Sequence, residues 1–246
     1  MTFKPYFIHG ADRPSRWLVT CDHAANTVPP SVNGGDLGLP AADMERHIAY
    51  DPGAAGVSRH LAELLDGPEI ETNFSRLVID PNRGMDDPTL LMRLYDGSVI
   101  PANARADAAE RDRRIAECYA PYHGALANLA ARRDDTVIVA IHSYTPQLRG
   151  RPPRPWHIGI LYAHDTRLAD PLLARLRAEP DLCVGENEPY GGHLPGDSID
   201  RHAEATGRPS VLIELRNDLI TTDAQHRAWA ERLAPMLQAA LADAGL

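Results

Sequence analysis

Five short, mostly apolar runs punctuate this chain: Trp17–Cys21, 77–80, 136–141, 157–162 and 211–215. Runs of this length are too short for helices, and their richness in Val, Ile and Leu reads as buried β-strand. The strand-like stretch Glu69–Thr72 comes just before the second run. Between the runs the periodicity becomes helical. In 53–65, Val57, Leu61, Leu64 and Leu65 recur at three- and four-residue steps, and Asp66-Gly67-Pro68 stops the pattern. Further helices are expected over 41–49, over 171–177, over about twenty C-terminal residues, and over 102–132, where Ile115, Tyr119, Tyr122, Ala125, Leu126 and Leu129 share a face. Strands alternating with helices predict an α/β fold. A chain of 246 residues, 43% of them hydrophobic, suits a single domain with a sizeable core.

The charge balance narrows the partners. A net charge of −9 argues against nucleic acid or an anionic membrane surface, both of which need a basic face. A small-molecule ligand is expected instead. The three cysteines, Cys21, Cys118 and Cys183, form no disulfide or zinc-knuckle pattern and suit a reducing compartment. No secretory h-region and no run of ~18 apolar residues is present, so a soluble, cytoplasmic protein is expected. No phosphate-cradling glycine loop precedes a helix. The oligomeric state, homo-oligomer included, is left open.

Chemistry in open α/β sheets gathers outside the carboxyl ends of the strands. Two apolar runs lead directly into histidines, in Cys21-Asp22-His23 and in Ile141-His142-Ser143-Tyr144. Imidazole is the commonest metal ligand, and two such residues converging in one crevice make a metal-dependent hydrolase the first hypothesis; each alone also reads as a structural histidine. A third ligand is offered by Asp51 or by Asn26. The carboxylate is the better zinc donor, but Asp51 also reads as an N-cap before Pro52. Glu214 interrupts an apolar strand, as a general base tuned by burial would, or as the partner of Arg216 in an ion pair. Asn82 and Arg83 follow a strand end and suit an anionic substrate, with Tyr144 beside His142; Arg149, Arg151 and Arg154 in the proline- and arginine-rich loop 147–155 suit carboxylate recognition too, and equally a solvated loop. Cys21 with His23 offers a metal-independent thiol amidase as an alternative.

Several ordered blocks carry a family resemblance: Asp22-His23-Ala24-Ala25-Asn26, 47–54, 75–83, Tyr122-His123, 142–146, 187–190 and 213–219. Over nearly the whole chain they resemble the N-formylglutamate amidohydrolase family. That family is more distantly similar to zinc carboxypeptidases and to the aspartoacylase and succinylglutamate desuccinylase group. The resemblance implies a phosphorylase/hydrolase-like fold, a mixed central sheet with helices on both faces. It implies Zn2+ or another divalent metal on His23 and His142, Glu214 as the base, and Asn82 with Arg83 holding substrate. The activity implied is hydrolysis of an N-formyl or N-acyl amide of an acidic amino-acid derivative. Carboxypeptidase-like patterns have Glu three residues after the first histidine, where this chain has Asn26, so Asp51 is the preferred third ligand. A non-catalytic binding protein on the same scaffold is the alternative from another class.

Overall fold

The computed structural model describes residues 3–192 and 194–246. The described residues form the strands β1 (Tyr6–His9), β2 (Trp17–Cys21), β3 (Glu69–Thr72), β4 (Leu94–Tyr95), β5 (Ser98–Val99), β6 (Val137–Tyr144), β7 (Ile158–Leu161), β8 (Val184–Glu186) and β9 (Ser210–Arg216). The helices are α1 (Ala41–Met44), α2 (Ala54–Leu64), α3 (Pro101–Ala104), α4 (Ala108–Arg114), α5 (Ala120–Ala130), α6 (Ala169–Arg177), α7 (Ser198–His202) and α8 (Asp223–Asp243). Seven strands make one mixed sheet in the order β1-β3-β2-β6-β9-β7-β8, while β4 and β5 form a separate small hairpin. The four strands β3, β2, β6 and β9 run parallel, β1 is antiparallel to β3, and β7 is antiparallel to β9.

Successive side chains of a strand point to opposite faces, and each face here is covered. Val137, Val139 and Ile141 of β6 pack with Val211, Ile213 and Leu215 of β9 beneath α2, α6 and α8. Ile138, Ala140 and Leu212 pack on the other face with Tyr122, Leu126 and Leu129 of α5 and Ile199 of α7. Burial on both sides explains why these strands are apolar without alternation. Among the described residues no helix is long and apolar enough to cross a membrane.

The expected α/β class, mixed sheet and two helical layers are found, but three local expectations need correction. Residues 77–80 are buried yet turn instead of pairing as a strand. Side chains satisfy their backbone carbonyls: Asn103 Nδ2 donates to Leu77 O at 2.7 Å, and Arg114 Nη1 to Val78 O at 2.7 Å. The helix expected over 41–49 closes at Met44. The stretch 102–132 divides where Asp107 caps α4, its side chain accepting from Glu110 N. It then passes through a π turn at Ile115–Tyr119, which rotates the buried face so that Cys118 is enclosed and Ile115 only half-buried.

Candidate active site

The parallel strands end together, and their carboxyl ends carry the polar residues. His23 lies two residues past β2, whereas His142 lies inside β6, which continues three residues beyond the expected end at Ile141. Register pairs His142 directly with Glu214 of β9. Both belong to the even-numbered set that faces α5, so they share one side of the sheet. Asp51 arrives from the loop before α2. Its backbone N–H donates to His23 O at 2.9 Å. The chain then turns at Gly53, whose φ is 82°; a Cβ there would stand 2.1 Å from the Ile220 carbonyl oxygen.

Asp51 is the centre of the cluster and not a helix cap: α2 is capped by Gly53 without a side-chain bond. Its Oδ2 lies 3.2 Å from His23 Nδ1 and 2.9 Å from His142 Nδ1, and accepts from Ser143 N at 3.2 Å. The other nitrogen of each ring faces a second carboxylate. His23 Nε2 is 2.8 Å from Asp80 Oδ1, and His142 Nε2 is 3.5 Å from Asp22 Oδ2. These carboxylates are themselves held. Arg76 Nη2 donates to Asp80 Oδ2 at 2.7 Å, and Tyr122 OH to Asp22 Oδ1 at 2.5 Å. His23, His142, Asp22, Asp51 and Asp80 are all buried to 3% exposure or less.

Burial raises a carboxyl pKa, and in this cluster neighbours overcome it. Bonds and charge from His142, with the Tyr122 hydroxyl, bring Asp22 down to about 2 despite its burial. Asp80 falls well below the usual carboxylate range because the charges of Arg76, His23 and Arg83 outweigh desolvation. Asp51 falls likewise under the two histidines. Glu214 goes the other way: burial first, with Asp51 adding to it, pushes its carboxyl up to about 7. Its Oε2 has no hydrogen-bond partner among the described residues. The ion pair expected with Arg216 does not form, because Arg216 turns to Asp218 at 2.8 Å.

A cavity of about 320 Å³ opens on this cluster, lined among others by His23, Asp51, His142 and Glu214. Asn82 and Arg83 reach it from the turn after Asp80. Asn82 N donates to Asp80 Oδ1 at 2.9 Å, and Arg83 is braced by Nη1 on Asn82 O and Nε on Thr89 Oγ1. Tyr144 also lines it, with its hydroxyl turned away to Trp156 O at 2.6 Å.

Three expected residues lie elsewhere. Asn26 turns outward, where its amide donates to Met44 O at 3.0 Å and Glu45 Oε1 at 3.2 Å, so it is not in the cluster. Arg149 is largely exposed and reaches toward Asp43 at 3.8 Å. Arg154 of the same loop contacts two residues that line the cavity, donating to Tyr190 OH and lying over the Tyr144 and Tyr190 rings. Cys21 is fully buried, and desolvation with the nearby carboxylates raises its thiol well above the usual range, which removes the thiolate a thiol amidase requires. Sequence reasoning gave no role to Asp22, Arg76, Asp80 or Tyr122. The signal available was polar residues standing directly beside apolar runs, at Asp22 and Asp80.

Two imidazole Nδ1 atoms and a carboxylate oxygen, mutually within 4.8 Å, are a donor set suited to a zinc-like divalent cation. Carboxylates on the far nitrogens are what orient metal-binding histidines. Asp51 and Asp80 also share one buried guanidinium, Arg76, at 3.5 and 2.7 Å, while the buried Asp22 has no guanidinium among its ion-pair partners in the described residues, an excess of negative charge that a dication offsets.

Comparison with known proteins agrees with this architecture. A gene product of Agrobacterium tumefaciens of known crystal structure is similar over 99% of this chain and 97% of its own, with a TM-score of 0.93 and 36% identity. N-formylglutamate amidohydrolase from Ralstonia eutropha shares the fold, with a TM-score of 0.67 and 21% identity over 98% of this chain and 97% of its own. In sequence, N-formylglutamate deformylase of Pseudomonas aeruginosa is 29% identical over 208 residues, 75% of this chain and 73% of the relative. The model of one family, described as N-formylglutamate amidohydrolase, matches residues 15–221. The chain therefore belongs to the N-formylglutamate amidohydrolase family.

Proposed function

We propose that this protein hydrolyses the N-formyl or N-acyl amide bond of an acidic amino-acid derivative, using a divalent cation, zinc by its donor set, held by His23, His142 and Asp51. The observation that carries the reading is the convergence of both Nδ1 atoms on Asp51 Oδ2, beside a Glu214 whose Oε2 has no hydrogen-bond partner among the described residues. The bound cation supplies Lewis acidity toward the scissile carbonyl and toward water.

The chain's own residues do the rest. Glu214 carries a pKa near 7, so at neutral pH it can take a proton from the attacking water and return it to the leaving amine. Asp22 and Asp80 keep each imidazole turned so that Nδ1 faces Asp51. Arg83, braced through Nη1 and Nε, presents a cation to a substrate carboxylate, and Asn82 lies beside it on the cavity wall. Asn82 Oδ1 accepts from Ser198 N at 3.2 Å, which fixes the amide's orientation.

The test joins metal analysis of the purified protein to hydrolysis of N-formyl-glutamate and other N-acyl amino acids. His23→Ala and His142→Ala should lower both metal content and turnover. Turnover that survives a chelator would remove the metal from the reading, and bound metal without hydrolysis of any N-acyl substrate would leave a binding protein.

A further inference from the structure

A second cluster of histidine and carboxylates lies at the opposite edge of the sheet from β8, outside the cavity. Antiparallel pairing sets His9 of the outer strand β1 directly against Glu69 of β3, and Glu71 follows two residues on, on the same face. His9 Nε2 lies 3.4 Å from Glu71 Oε1 and 3.9 Å from Glu69 Oε2. One donor atom from each residue lies within 4.8 Å of the others.

The two carboxylates are not balanced by what surrounds them. Arg59 of α2 binds Glu71 twice, Nε to Oε2 at 2.9 Å and Nη2 to Oε1 at 3.0 Å. Glu69 has 0% exposure and receives Ser58 Oγ on Oε1 at 3.0 Å, while its Oε2, on the His9 side, has no hydrogen-bond partner among the described residues. A buried carboxylate oxygen left in this state is costly unless a cation meets it.

We propose that His9, Glu69 and Glu71 form a second divalent-cation site, suited to zinc or a similar first-row ion. The donor set is one imidazole nitrogen and two carboxylate oxygens. Two ligands bound ~2.1 Å from a tetrahedral ion stand roughly 3.4 Å apart. The separations of 3.4 and 3.9 Å are close to that spacing, so little movement is needed. The His9 side chain, 44% exposed, gives an ion access from solvent and leaves a position for water. Bound there, the ion ties β1 to β3 and stabilises a sheet edge of four residue pairs.

The site does not depend on the catalytic reading, and zinc itself is the probe. Protein stripped with a chelator is equilibrated with zinc, and bound zinc per chain is measured by elemental analysis. His9→Gln and Glu69→Gln should each hold one equivalent fewer than wild type while hydrolysing at the wild-type rate. The His23→Ala/His142→Ala double variant should keep one equivalent, raising its Tm by several degrees, and adding His9→Gln should abolish both. Zinc content unchanged by His9→Gln and Glu69→Gln, or a folded double variant that binds none, overturns the proposal and leaves a protonated carboxyl pair only. Should the double variant fail to fold, the single variants decide.

Discussion

Glu214 and Glu69 are both buried strand carboxyls whose Oε2 has no hydrogen-bond partner among the described residues, and each stands opposite a histidine on the adjacent strand. They differ in what surrounds that histidine. His142 is 2% exposed and lines a cavity, its Nδ1 hydrogen-bonded to Asp51 at 2.9 Å and its Nε2 facing Asp22 at 3.5 Å. His9 is 44% exposed, and its Nε2 meets only Glu69 and Glu71 among the ion-paired carboxylates of the described residues. The same residue types therefore serve different ends. A braced imidazole beside an enclosed space suits chemistry on a bound substrate, whereas an open imidazole on an outer strand suits a structural ion.

The sharpest way to break the comparison is Glu214→Gln. If Glu214 moves the proton, kcat should fall about 10²- to 10⁴-fold. Metal content and folding should stay as in wild type, as elemental analysis and circular dichroism would show. Loss limited to KM would assign Glu214 to substrate binding instead.

The same carboxyl makes a stability prediction for metal-free protein. Its pKa rises from 4.5 to about 7 on folding, so the neutral form favours the folded state. That contribution is fully present below pH 4.5 and is lost as pH rises through about 7. Glutamine carries no such dependence. Between pH 4 and pH 8, Glu214→Gln should gain up to about 3 kcal/mol relative to wild type in urea unfolding under chelator. A relative stability that does not change with pH would mean that folding does not raise the Glu214 pKa and that its carboxyl is charged in the folded protein at neutral pH.

Asp22→Asn tests the bracing of His142. Losing the carboxylate behind a ligating imidazole should weaken metal binding about 10- to 100-fold. Competition with a chromophoric chelator measures this directly. His9→Gln, which lacks any such bracing shell, should leave this affinity untouched.

How much of this was legible in the sequence depends on what satisfies the backbone. Trp17–Cys21 and Glu69–Thr72 pair as strands with the boundaries expected, because ladder partners are available on either side. The run 77–80 is equally apolar, yet Asn103 and Arg114 satisfy its carbonyls, and no local pattern encodes those distant side chains. Tyr6–His9 and Val184–Glu186 escape periodicity for a different reason: they are outer strands, only partly buried and under little pressure to be apolar. In the site, His23 and His142 are readable as histidines that follow apolar runs, Glu214 as a carboxyl inside one, and Asp51 as the better metal donor of a loop. Their bracing is not, since Tyr122 reaches Asp22 across 100 residues.

Arg149 and Arg154, equivalent candidates by sequence, are placed differently by the fold. Arg149 is 57% exposed, its nearest carboxylate 3.8 Å away is Asp43, and its backbone N–H donates to Asp96 Oδ1 at 2.9 Å. Alanine keeps that backbone bond and removes only a solvated ion pair, so Arg149→Ala should change stability by less than about 0.5 kcal/mol. Hydrolysis should be unchanged within error. Arg154 is anchored differently, on Thr145 O and Tyr190 OH and over the rings of Tyr144 and Tyr190, two residues that line the cavity. Arg154→Ala should therefore raise KM several-fold with little change in kcat, because it loosens two tyrosines of the cavity wall and leaves Glu214 in place. Steady-state kinetics on the two variants side by side decides between them. An Arg149→Ala effect on KM as large as that of Arg154→Ala would mean that the loop closes over substrate and brings Arg149 inward.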